Sequence, residues 1–135
     1  MQDKSEVEHF LKYLMKDICY VKGTALTIFS LINTNSNYAY LHPYFRKICK
    51  ELPHYSSFDL VYILILLHRY SLIFFNENLY KEKSKSQDLE LFLSSCEKLL
   101  RSMHAEIVIE IANIFLDFPS DDRISKVYSI FIFNF

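Results

Sequence analysis

The sequence predicts an all-α protein with about seven helices in one domain. Apolar residues recur at three- and four-residue steps along almost the whole chain, which is the spacing of amphipathic helices. The chain has one glycine and three prolines among its 135 residues, so it offers few points at which a helix must stop. This length is typical of a single domain, and we expect residues 1–135 to share one core.

The first two predicted helices form a hairpin. Residues 5–8 read SEVE and fit a capping box, so the first helix is predicted to begin at Ser5 and to end near Cys19. Gly23 is predicted to open the second helix, which runs to Ile32 and is followed by the polar run NTNSN. The inward stripe predicted for the first helix comprises Val7, Phe10, Leu11, Leu14 and Ile18.

Proline and serine residues set the predicted bounds of the next two helices. The third runs from Leu41 to Leu52, and the proline directly after it ends it. The fourth begins at Ser56 or Ser57, either of which can act as N-cap, and continues to about Phe75. It is apolar almost all round, which predicts burial on several sides.

Three further helices are predicted in the second half of the chain. Residues 76–86 are rich in lysine and are expected to form a solvated loop. The fifth helix then runs from residue 87 to 101 and the sixth from residue 105 to 118. After Pro119, a seventh apolar segment extends from Ile124 to Phe135.

The helix spacing indicates a repeat architecture. Alternate helices begin near residues 5, 41 and 87, so the steps are 36 and 46 residues. These steps are close to the roughly 40 to 47 residues of armadillo and HEAT repeats. One antiparallel helix pair cannot cover its own apolar face, so successive pairs stack. The sequence therefore predicts an armadillo/HEAT-like α-solenoid of three stacked helix pairs and one spare helix.

The spare helix is apolar where the end of a repeat array is normally polar. Its last residues read IFIFNF, and a terminal capping repeat needs a polar outer face. We expect the segment from Ile124 to Phe135 to lack its natural neighbour, and therefore to drive self-association or to bind a further part of a longer trunk.

Composition excludes several classes of function. The formal net charge of −1 argues against nucleic acid as a partner. One glycine cannot supply a glycine-rich phosphate loop. The three cysteines are widely spaced and no signal peptide precedes them, which indicates a reducing, cytosolic setting. The longest uninterrupted apolar run, from Leu60 to Leu67, is shorter than the roughly 20 residues that span a bilayer, so no transmembrane helix is expected.

No arrangement of residues predicts catalysis. The five histidines are scattered, and none forms a metal-binding motif with a cysteine or a second histidine. We therefore expect no catalytic, cofactor-binding or metal-binding residue, no cofactor and no enzymatic activity. His68 and Arg69 are interpreted as a polar tip that is hydrogen-bonded where helices meet. Asp59 is interpreted as a first-turn carboxylate that the helix dipole favours.

Five blocks of sequence occur in a fixed order between residues 11 and 118. They are VKGTAL at 21–26, LHPYFRKIC at 41–49, LHRY at 67–70, DLELFL at 88–93 and LLRSMHAEIV at 99–108. In this order they resemble the trunk of the large beta subunits of clathrin-adaptor complexes, most closely that of adaptor protein complex three.

This resemblance implies a scaffold function. The chain would be part of a beta-adaptin trunk, a cytoplasmic helical-repeat subunit that assembles with a second large subunit, a medium subunit and a small subunit. The complex forms a vesicle coat that recruits cargo at Golgi or endosomal membranes, so membrane association would be peripheral and only through the complex. Because the cargo-signal pockets of the family lie mainly in other subunits, the resemblance assigns no site residues here.

Two alternatives remain open. An unrelated helical interaction module, such as a cyclin-like domain that docks on a kinase, would wrap its helices around one central helix instead of stacking them in pairs. A small helical enzyme would need a concave pocket that contains titratable groups with perturbed pKa values.

Overall fold

The computed structural model describes residues 4–17, 19–32, 38–75 and 83–134. Within these ranges the protein is all-α, as predicted, and contains no strand. Two short 3-10 turns, Tyr38–Leu41 and Leu52–His54, flank the third helix. The α-helices of the described ranges are α1 (Lys4–Leu14), α2 (Cys19–Ile32), α3 (Phe45–Glu51), α4 (Ser57–Phe74), α5 (Lys83–Lys98), α6 (Ala105–Asp117) and α7 (Asp121–Asn134).

Helix packing follows an alternating order. Helix α4 contacts both α2 and α6, whereas α3 contacts α5. Helix α1 packs on α2 and on the first 3-10 turn, and α7 packs on α6. Helix α4 therefore contacts the second helix before it and the second helix after it along the chain.

Helix α4 provides the centre of the hydrophobic core. Ile63, Leu64, Leu66 and Leu67 are all fully buried, but Phe58, Leu72 and Ile73 are 69%, 47% and 43% exposed, so the predicted burial on several sides is only partly correct. The helix begins at Ser57 with Ser56 as its N-cap, as predicted. By length and composition alone it is also apolar enough to cross a membrane, with a mean hydropathy of 1.5. Its packing against α2 and α6 accounts for that composition, and the expectation of no membrane span stays a prediction.

The prediction that Gly23 opens the second helix is wrong. Helix α2 begins at Cys19, so Gly23 lies in the interior of the helix. A Cβ atom on residue 23 would lie 3.0 Å from Oδ2 of Asp59 and 3.1 Å from Cδ1 of Tyr55. The glycine is therefore needed for the close approach of α2 to the start of α4, and not for a turn.

Two other predicted boundaries in the first half are wrong. Helix α1 ends at Leu14 rather than near Cys19, because residues 15–17 form a turn. The third helix begins at Phe45 rather than Leu41, since Leu41 closes the first 3-10 turn and residues 42–44 form a turn after it.

The predicted inward stripe of α1 is only partly correct. Phe10 lies at the edge of the stripe and is 52% exposed, while Met15 in the following turn is buried. Val7, Leu11 and Leu14 are buried as predicted, and Ile18 lies outside the described residues.

The second half follows the prediction more closely. Helix α5 begins at Lys83, so residues 83–86 are helical rather than part of the predicted loop, and it ends at Lys98 instead of Arg101. Residues 76–82 of that loop lie outside the described ranges. Helix α6 ends within one residue of its predicted end. Helix α7 begins at Asp121, three residues before Ile124, because Ser120 accepts hydrogen bonds from the first turn.

Candidate functional site

Helices α6 and α7 enclose an apolar groove on the surface. Its volume is about 210 Å³. Because the lining contains no charged side chain, the groove lacks the convergent polar groups that orient a small substrate, and its chemistry favours contact with an apolar protein surface. The lining residues are Ala112, Phe115 and Leu116 of α6 and Ile124, Val127, Tyr128 and Phe131 of α7.

Helix α7 is packed on one side and open on the other. Val127, Ile130 and Phe131 are partly buried against the core. Tyr128, Ile132 and Phe133 are 66%, 73% and 83% exposed, and Leu116 on the α6 side of the groove is 67% exposed. The apolar segment predicted from Ile124 to Phe135 therefore presents large apolar side chains to solvent over its described part, while Phe135 itself lies outside the described residues.

A charged edge fixes the orientation of α7. The Arg123 side chain is 13% exposed and donates to Glu90 of α5 at 2.5 Å and to Glu97 of α5 at 3.3 Å. Hydrogen bonding by Arg123 lowers the pKa of Glu90, and hydrogen bonding by Lys126 lowers the pKa of Glu97. These pairs hold the polar edge of α7 against α5, and the exposed side chains of Tyr128 and Ile132 lie on the opposite side of the helix.

Helix α2 carries a second exposed apolar surface. Val21, Ile28 and Leu31 are 41%, 53% and 55% exposed, and their spacing of seven and three residues places them on one side of the helix. We call this set the α2 ridge. The three-residue spacing of Leu26 and Phe29 predicts the packed side of α2 correctly, since both side chains are buried, but it does not indicate that apolar residues also occupy the exposed side.

Polar side chains occupy the packed side of α2. Lys22, Thr27 and Ser30 are all at most 5% exposed. Lys22 pairs with Glu51 at 2.6 Å, and the hydroxyl of Thr27 lies 2.7 Å from Oδ1 of Asp59. Partners on α3 and α4 therefore compensate the burial of Lys22 and Thr27.

His68 joins α4 to α6, as expected for a polar tip where helices meet. Its Nδ1 lies 3.0 Å from Glu110 and its Nε2 lies 2.6 Å from Asp117. Burial of the ring opposes the charged form, but the hydrogen bonds that the ring donates to Glu110 and Asp117 outweigh this and raise the pKa of His68. Arg69 is exposed.

These groups do not form a metal site. The two carboxylates bind different ring nitrogens of His68, so they do not converge on one point. Within the described residues no three His, Cys, Asp or Glu side chains are placed to hold an ion. Cys49 and Cys96 are buried, and burial raises the pKa of both thiols, which makes them poor nucleophiles.

The comparisons with known proteins assign no family. No protein-family model matches the sequence, and neither a curated protein nor a solved structure is significantly similar to it. The resemblance to beta-adaptin trunks therefore stays a prediction.

Proposed function

We propose that the chain is a scaffold subunit of an adaptor-protein vesicle coat, and that it serves intracellular protein transport through protein-protein contacts. The ordered blocks of sequence support this proposal. Four of the five blocks fall largely within helices α2, α3, α4 and α5, and the fifth spans the turn from α5 into α6.

The observation that carries the proposal is the alternating order of helix contacts. In an α-solenoid each helix packs on its partner and on the equivalent helix of the next pair. The α2–α4–α6 contacts, the α3–α5 contact and the α1–α2 and α5–α6 pairs follow this rule, whereas α3 packs on α5 and on the second 3-10 turn more than on α4. The same order predicts an open surface at each end of the stacked helices.

A cyclin-like domain receives less support. That fold places one helix at the hub and packs the others on it. Helix α4 is the best buried helix here, but the contacts of α3 with α5 and of α6 with α7 do not involve it.

The proposed partners are the other adaptor subunits: a second large subunit, a medium subunit and a small subunit. The chain would be cytoplasmic and would reach Golgi or endosomal membranes only as part of that complex. Its contribution would be shape and apolar contact surface, because the groove offers no polar centre for chemistry.

Affinity purification of the tagged full chain from its source cell, followed by mass spectrometry, tests this function. The expected result is co-purification of medium and small adaptor subunits. Leu116→Glu places a charge in the groove and should reduce their recovery. Met103→Glu introduces the same charge at a side chain that is 94% exposed in the turn before α6, and should leave recovery unchanged. Recovery of no adaptor subunit, or of a kinase in their place, would contradict the proposal.

A further inference from the structure

A serine, a histidine and a glutamate from the starts of two helices lie together on the surface. Oγ of Ser57, the first residue of α4, lies 2.9 Å from Nε2 of His104, which directly precedes α6. Nδ1 of the same ring lies 3.6 Å from Oε1 of Glu106 in the first turn of α6. Ser57 and His104 are 47 positions apart in the sequence, so it is the packing of α4 on α6 that brings them together.

Local hydrogen bonds hold both backbones and leave both side chains for this contact. Ser56 caps α4 by accepting from the N–H of Asp59, so the hydroxyl of Ser57 has no capping role. The N–H of His104 donates to the hydroxyl of Ser102, and the carbonyl of His104 accepts from the first turn of α6. The imidazole itself does not cap α6. Two helix starts therefore position the pair.

The two ring nitrogens of His104 have different roles in this arrangement. Because Glu106 faces Nδ1, its carboxylate favours the tautomer that carries the hydrogen on Nδ1. Nε2 then has a free lone pair and accepts the hydrogen of the Ser57 hydroxyl. If Nε2 takes that proton, the negative charge of Glu106 stabilises the imidazolium. A serine, a histidine base and a carboxylate that orients the base are the parts of an activated nucleophile.

We propose that Ser57 and His104 form a catalytic pair that hydrolyses small carboxylic esters, with Glu106 as a positioning residue. Oγ of Ser57 attacks the carbonyl carbon while its proton passes to Nε2 of His104. The bond from that carbon to the alcohol oxygen then breaks, and the alcohol leaves with the proton. A water molecule next attacks the acyl group and gives a proton to His104. This proton returns to Ser57 as the carboxylic acid leaves.

The surroundings of the pair fit a small ester. The side chains of His104 and Glu106 are 51% and 60% exposed, so ester and water can reach them from solvent. Ser57 and Phe58 begin α4, and a helix offers no internal acceptor to the N–H groups at its start. These N–H groups can donate to the negative oxygen that forms on the attacked carbonyl. This inference goes beyond the proposed coat function and departs from the expectation of no enzymatic activity.

Hydrolysis of p-nitrophenyl acetate by the purified full chain tests the proposal. Ser57→Ala and His104→Gln should each lower the rate by at least about tenfold. Glu106→Gln should lower it less, because its amide oxygen can still favour the same tautomer but brings no charge. His54→Gln changes another exposed histidine and should leave the rate unchanged. Circular dichroism checks that each variant is folded.

A fluorophosphonate provides a second readout, since it forms a stable bond to an activated serine. It should label Ser57 of the wild type, and peptide mass spectrometry locates the label. A surface imidazole can also attack an activated ester by itself, so an unchanged rate in Ser57→Ala would overturn the proposal. So would a wild type without label on Ser57, or one that is no faster than His104→Gln. The labelling uses the wild type alone, so it decides the proposal even where a variant fails to fold.

Discussion

The hydroxyl of Thr27 in α2 lies 2.7 Å from Oδ1 of Asp59 in α4. The same hydroxyl lies 2.9 Å from the carbonyl oxygen of Gly23. A hydroxyl has one hydrogen to donate, and the shorter of the two contacts is with the carboxylate of Asp59. Ser56 donates to the other oxygen of Asp59 at 2.9 Å. Asp59 is 6% exposed, so it is more than the first-turn carboxylate expected from sequence: it joins the two helices.

Thr27→Val should destabilise the fold by about 1–3 kcal/mol, because one oxygen of a buried carboxylate would lose its donor. Thr27→Ser is the matched control, since it keeps the hydroxyl and should cost clearly less. Urea unfolding monitored by circular dichroism measures both free energies. A valine variant that is as stable as the wild type would show that the hydrogen bond to Asp59 does not stabilise the fold.

Gly23→Val should destabilise the fold by about 1–3 kcal/mol through overpacking at the contact of α2 with α4. The cause is the limited space next to Tyr55 and Asp59, and not a turn. Gly23→Ala should cost less, because the smaller side chain requires a smaller shift and alanine favours a helix interior by about 1 kcal/mol over glycine. A melting temperature that is unchanged in the valine variant would contradict the close approach.

The His68 bridge should make stability depend on pH. A neutral imidazole has one N–H, so it can donate to only one of Glu110 and Asp117, whereas the imidazolium donates to both. The pKa of His68 is raised above 6.5 in the folded protein, so its stabilisation is complete below that value and is lost as pH rises through the folded pKa.

His68→Gln provides the comparison for this pH dependence. Its amide cannot gain a proton in this range, so the difference in unfolding free energy between wild type and variant should shrink as pH rises from about 5.5 to about 8.5. Urea unfolding at several pH values measures it. A difference that is constant across this range would show that the bridge does not titrate.

Arg123→Ala should loosen α7 without disturbing the α2–α4 contact. The side chain is largely buried between two acids of α5, so its removal leaves Glu90 and Glu97 without a shared donor. Hydrogen exchange should become faster in α7 and stay unchanged in α2 and α4. Lys126→Ala removes an exposed cation from the same edge and should have a smaller effect. Faster exchange throughout the chain would contradict a local role for Arg123.

Sequence reasoning located helices where local signals decide them. Helix α4 has a capping serine at its start, and α6 is bounded by the break before Ala105 and by Pro119. Both were predicted to within one residue. Gly23 was misinterpreted because a glycine is required there by the close contact with Tyr55 and Asp59. These residues lie more than 30 positions away, so no local pattern contains the contact.

The exposed side of α2 could not be predicted for the same reason. The helix buries Leu26 and Phe29, as their spacing predicts. It also buries Lys22 and Thr27 and exposes Ile28, which the hydrophobic pattern does not indicate. The partners that make this burial possible, Glu51 and Asp59, lie on other helices. The apolar end of the chain was predicted, since its composition alone shows it, but the groove with α6 depends on how the two helices pack.

The most direct test of the stacked arrangement is the distance between Ile28 and Leu116 within one chain. Spin labels on Ile28→Cys and Leu116→Cys, in a background with Cys19→Ala, can be measured by pulsed electron resonance with excess unlabelled chain to suppress contacts between copies. Buried Cys49 and Cys96 should not react. Two interaxial spacings plus two outward helix radii predict roughly 26–32 Å before the label arms are added. A distance below about 20 Å would place α2 beside α6 and contradict a row in which α4 separates them.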